Sequence, residues 1–178
     1  AVLHYAPRIF QDMGMGNPMV QTVIMGVVNI SFTLVAVFTV EKLGRKPLLI
    51  FGSIGMAVGA LGVALTFGNA ALSTVTMISI MVYSASFMFS WGPIAWVLIA
   101  ELFPNTIRGA AVAIAVAFQW IFNFIVSSTF VPMFNMHLTP GDDFGHWFTY
   151  GLYGVICILA AIFVWKLVPE TKGKTLEE

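Results

Sequence analysis

The stretch SWGPIAWVLIAELFPNTIRG, residues 90–109, interrupts an apolar run that begins near Val75, and its reading decides the fold. The ring of Pro93 removes one backbone hydrogen bond and clashes with the preceding turn, so a helix through Gly92-Pro93 must kink or break. In a membrane such a break is costly. Freed backbone groups at that depth are tolerated only where protein or a water-filled cavity covers them, and the expectation here is a cavity. Trp91 and Trp96 flank the break. Indoles favour membrane interfaces, yet Trp91 stands ten residues before Glu101, which places it well inside the apolar core. The run ends at Glu101, with Pro104 and Arg108 just beyond it as a charged exit.

Composition agrees with a membrane setting. Hydrophobic residues make up 59% of the 178, and charged residues only 9%, where a soluble domain has about a quarter charged. The reading is an all-α integral membrane protein with room for five spans of about 20 residues each. A formal net charge of zero offers no electrostatic footprint for nucleic acid. Cys157 is alone, so no intrachain disulfide forms. Residues 1–10 are too short, and broken by Pro7 and Arg8, to read as a cleavable signal.

Outward from the break, the predicted spans are 19–40, 48–67, 75–102, 110–134 and 146–168. A half-helix at 1–13 carrying His4 precedes them, and a soluble tail at 169–178 follows. Thr22, Asn29 and Thr33 share one helical face, which should turn into the protein. Residues 41–47, EKLGRKP, form a charged reversing turn. Gly52, Gly55, Gly59 and Gly62 form a small-residue ridge suited to close helix contact. Seven of the eight cationic side chains (Lys42, Arg45, Lys46, Arg108, Lys166, Lys172, Lys174) fall on one side, leaving Arg8 on the other. By the positive-inside rule that side, tail included, is cytoplasmic, and the loops 68–74 and 135–145 face outward.

Three motifs in this order resemble the sugar porter family of the major facilitator superfamily, and specifically its C-terminal half. Residues 41–47 are similar to the family's loop between helices 8 and 9. Glu101 with Arg108-Gly109 is similar to its helix 10 to 11 junction, and Pro169-Glu170-Thr171-Lys172-Gly173 to the signature after helix 12. The wording of 90–109 and 113–123 is most similar to the D-xylose- and glucose-carrying members. The resemblance places Ala1 just after the family's helix 7 motif, so the expectation is a half transporter or a fragment of one. The N-terminal six-helix half, with its proton-coupling acid, would be the partner. In the family the sugar binds at the midplane between the halves, and access alternates as they rock. The implied role is the sugar-binding half of a secondary transporter for D-xylose or a related pentose or hexose, proton-coupled, in a bacterial plasma membrane. The alternative is a truncated membrane module that binds or assembles and transports nothing.

A pyranose needs amide or hydroxyl partners and an aromatic face. Gln119, Asn123 and Asn29 supply the first; Trp96, Trp120 and Phe87 supply the second. Carried over from the family, Trp96 and Gln119 are the best matches, followed by Phe87, Gly92, Trp120, Asn123 and Asn29. His4 stands where relatives often carry tyrosine. Gln119 read by itself fits an interhelical hydrogen bond equally well, and the indoles fit core packing. Glu41, Arg45, Glu101 and Arg108 sit at cytoplasmic span ends and are expected to form a charge network that latches that side shut. The bland version is ordinary surface pairing. His137, Asp142, Asp143 and His146 lie close in sequence, but Pro140-Gly141 makes their segment a loop rather than a rigid frame, so neither metal nor cofactor is expected. Ser127-Ser128 lack a base nearby in sequence, and no enzymatic activity is expected.

Overall fold

The computed structural model describes residues 18–67, 69–136 and 144–169. All regular structure in these segments is helical: α1 Pro18–Leu43, α2 Arg45–Thr66, α3 Ser73–Phe89, α4 Trp91–Leu102, α5 Asn105–Phe134 and α6 Phe144–Leu167. A 3-10 turn, Ala70–Leu72, leads into α3. With α3 and α4 taken together, five helical stretches among the described residues are long and apolar enough to cross a membrane. The half-helix expected at 1–13, His4 within it, the loop at 137–143 and the tail beyond residue 169 lie outside the described residues.

The charged segment 41–47 reverses the chain within a single residue. α1 continues through Lys42 to Leu43, α2 starts at Arg45, and Gly44 alone turns the chain. Its φ of 93° lies in the left-handed region that a Cβ disfavours. Pro47 then falls in the first turn of α2, where a missing backbone N–H breaks no helical bond.

The break in the third span is real, but it lies at Ser90. A ring at Pro93 collides with the carbonyl four residues earlier, which belongs to Phe89, so α3 stops there. Pro93 is left in the first turn of α4. At Ser90 itself the chain faces protein rather than a cavity. Ser90 is buried against α2, where a Cβ built on Gly52 would lie 1.7 Å from its hydroxyl oxygen. Protein covers the freed groups: the Ser90 N–H donates to the Phe87 carbonyl at 3.2 Å and its hydroxyl to the Ser86 carbonyl at 2.8 Å.

α2 is the central helix, packed extensively on both α3 and α6. Its glycine ridge explains the first contact. A Cβ on Gly55 would meet Ser86, one on Gly62 would meet Ser79, and one on Gly59 would meet the backbone of Tyr83 and Ser79. Small residues thus set the helix spacing, as they do where no hydrophobic drive separates helix from lipid. On the other face, Gly154 of α6 accepts the side chain of Leu61. At the C-terminal end of α2, Phe67 meets Phe134, His146 and Tyr150 at ring-centroid distances of 5.5, 4.4 and 6.2 Å, which joins α5 and α6 to it. α5 packs mainly on α6 and, lightly, on α4, with Phe130 and Phe134 reaching the cluster at the end of α2, and much of it is uncovered.

Candidate functional site

Three polar ties fasten α2 to the broken span. Thr76 donates to Thr66 at 2.8 Å, on the α3 side of the break. At the break, the Trp91 indole N–H donates to the Ser53 hydroxyl at 2.7 Å. At the far end Arg45 holds Glu101 through two bonds, Nε to Oε2 at 3.1 Å and Nη2 to Oε1 at 2.6 Å. A two-pronged guanidinium–carboxylate pair fixes direction as well as distance.

Around this frame the predicted site residues fall into separate groups. Phe87 packs with Trp91 and Tyr83 on the buried Met56, Ala57 and Cys157. Gly92 lies beside it, since a Cβ there would be 3.4 Å from the Phe87 carbonyl oxygen and 3.8 Å from its ring. Trp96 follows Gly92 by about one helical turn, on the side of α4 roughly opposite the buried Ile94 and Leu98. It is 38% exposed. Phe87 and Gly92 adjoin at the break, and Trp96 stands one turn further along α4.

Asn29 belongs to a second group. Ser84 of α3 donates to its Oδ1 at 2.5 Å, and Thr33 donates to its backbone carbonyl at 2.9 Å. With one lone pair of Oδ1 engaged, Asn29 still offers a ligand its amide NH2 and one acceptor site. Asn29 and Thr33 are half-buried, as their shared face implies, whereas Thr22, on the same face but nearer the start of α1 than the buried Met25, is exposed. Ser84 was missed from sequence. The available signal was a hydroxyl in an apolar run three residues before Phe87.

The third group is the stripe on α5. Ser127 donates to Asn123 Oδ1 at 3.2 Å, and Asn123 is half-buried. Gln119 projects about 40° from Asn123 around the helix, on the face that leads to the buried Phe130, yet it is exposed. Trp120, beside it, is 66% exposed. Among the described residues, no hydrogen bond or ring contact joins Gln119 or Trp120 to Trp96.

Of the expected four-member charge network, the Arg45–Glu101 pair is present among the described side chains. Arg45 and Glu101 are 17% and 28% exposed. Arg108 turns instead to the Phe103 carbonyl at 3.3 Å, and its Nη2 is buried with no hydrogen-bond partner among the described residues. The reason is local. Arg108 rises from the first turns of α5, directly over the 103–104 corner, and reaches that carbonyl before any carboxylate. The Glu41 side chain lies outside the described residues.

Aromatic side chains at a broken span, carboxamides on apolar helices and an arginine–glutamate clasp at one end mark this helical bundle. The family described as "Sugar (and other) transporter" matches residues 1–178. The chain belongs to it, among the sugar porters of the major facilitator superfamily. This sugar porter chain is 49% identical to the D-xylose-proton symporter of Escherichia coli K12 over 99% of its own length. It spans 36% of that relative's length. Against the solved structure of the proton:xylose symporter XylE bound to 6-bromo-6-deoxy-D-glucose it scores a TM-score of 0.86, at 49% identity, covering 99% of this chain and 38% of the other. Against the inward open conformation of XylE from Escherichia coli the TM-score is 0.75, at 47% identity, covering 99% and 41%.

Proposed function

We propose that this chain is the sugar-binding C-terminal half of a monosaccharide transporter, taking D-xylose or a related pentose or hexose across the membrane by alternating access with proton coupling. The observation that carries the reading is the uncovered carboxamide of Gln119 on α5, in line with the half-buried Asn123. A polar amide facing acyl chains is unfavourable, and such groups in membrane helices turn to an interior or a wet cavity. The surface that covers Gln119 is therefore a partner half with sugar and water between. Trp96 and Phe87 supply the face for sugar C–H groups, and Asn29 supplies N–H donors.

The test is uptake of radiolabelled D-xylose by proteoliposomes holding a complete transporter that contains this chain, with and without a proton uncoupler. Accumulation abolished by the uncoupler is expected. Binding without uptake by the complete protein would favour the binding or assembly module instead.

The Arg45–Glu101 clasp acts in this reading as the cytoplasmic latch. Arg45→Ala in the complete transporter is expected to move the balance about fivefold toward inward-facing, the effect of a part-exposed pair worth about 1 kcal/mol. Cysteine-accessibility labelling from the cytoplasmic side measures it, and an unchanged labelling rate would remove the latch.

A further inference from the structure

We propose that Ser53 is a positioning residue for the site: through Trp91 it sets the orientation of α4, and with it that of Trp96. Its bearing on sugar rests on the function proposed above. The argument starts from what holds α4. This helix has 12 residues, and two side-chain ties to α2 stand near its ends, Trp91–Ser53 and Glu101–Arg45. They are ten residues apart, about 15 Å along the helix. Trp96 lies midway between them and faces away from α2, so it contributes nothing to its own anchorage.

The two ties differ in kind. The Arg45–Glu101 pair is reached by solvent, whereas Ser53 is fully buried, and its hydroxyl is directed by its own donation to the Leu49 carbonyl at 2.8 Å. The oxygen therefore presents a lone pair to the Trp91 N–H. The indole body rests on two clusters at once, Leu48, Leu49, Ile94 and Leu98 on one side and Met56, Ala57 and Cys157 on the other. Packing confines the ring between them, and the single polar bond selects its setting. Because Trp91 is the first residue of α4, immediately after the Ser90 break, a change in the indole's setting rotates the helix that follows. When the clasp at Glu101 opens, Ser53–Trp91 is the remaining tie, the pivot about which α4 turns.

The test labels the 178-residue chain with 15N-tryptophan in detergent micelles. Its five tryptophans give five indole resonances, with Trp91 and Trp96 assigned by Trp91→Phe and Trp96→Phe. In Ser53→Ala the Trp91 indole hydrogen is expected to exchange with water at least about tenfold faster, the loss of one protecting hydrogen bond. The Trp96 resonance should shift, although Trp96 does not touch Ser53, while Trp147 and Trp165 hold still. Unchanged exchange at Trp91, or an unmoved Trp96, overturns the proposal. In the complete transporter Ser53→Ala should weaken D-xylose binding about two- to tenfold and add nothing in a Trp91→Phe background. Equal weakening in both backgrounds means that Ser53 does not act through the indole, which also overturns it. If the wild-type transporter binds no D-xylose while the indole effects persist, the sugar reading falls and the positioning role stands.

Discussion

Gly59→Leu is expected to unfold the bundle around α2, with a loss of at least about 3 kcal/mol, beyond the usual range for overpacking a core. A Cβ at this position would lie 2.7 Å from the Tyr83 backbone nitrogen, 2.8 Å from the Ser79 carbonyl oxygen and 2.9 Å from the Tyr83 Cα. None of these atoms can rotate aside, because all belong to the backbone of α3. The helices must separate instead, and the contacts at Gly52, Gly55 and Gly62 part with them. Gly26→Ala is the matched control: nothing lies within 4 Å of a Cβ there, so about 0.5 to 1 kcal/mol of helix propensity should be gained. Titration of the detergent-solubilised chain with sodium dodecyl sulfate, followed by circular dichroism and tryptophan emission, ranks the two. Wild-type resistance in Gly59→Leu would mean that the α2–α3 spacing is not set by backbone contact.

Trp96→Ala in the complete transporter is expected to weaken D-xylose binding about 30-fold, roughly 2 kcal/mol, through loss of an aromatic surface that a bound sugar covers. Gln119→Ala should cost up to about tenfold, the worth of one hydrogen bond in a desolvated site. Phe124→Ala serves as the control, since Phe124 is 73% exposed on another side of α5 and belongs to none of the three groups. Isothermal titration with the purified variants measures all three. The two site variants should combine to less than the sum of their separate effects if they touch one bound sugar. Full affinity in both single variants, with normal insertion, would show that the aromatic side chains at the break and the stripe on α5 do not share a ligand.

Much of the architecture was legible from residue order because lipid leaves the backbone few choices. Apolar runs of span length had to be helices, Pro93 had to interrupt one of them, and four glycines at three- and four-residue steps had to meet a neighbour. Arg45 and Glu101, 56 residues apart, were expected in one cluster on the basis of topology, and the structure pairs them directly. Other features were hidden. The reversal at 41–47 was legible, but not that helical hydrogen bonding continues past the charged edge until Gly44 alone turns the chain.

What residue order alone determined is the set of elements and the family, because hydrophobic length and proline chemistry act within a single segment. Where each polar side chain finds its partner was decided only by tertiary packing. Ser53 and Trp91 are 38 residues apart and Asn29 and Ser84 are 55 apart, and neither pair has a local pattern that announces it. A buried hydroxyl accepts whichever donor the neighbouring helix brings within reach, and that follows from the glycine-set spacing of α2 and α3 and from the way α1 lies on α3.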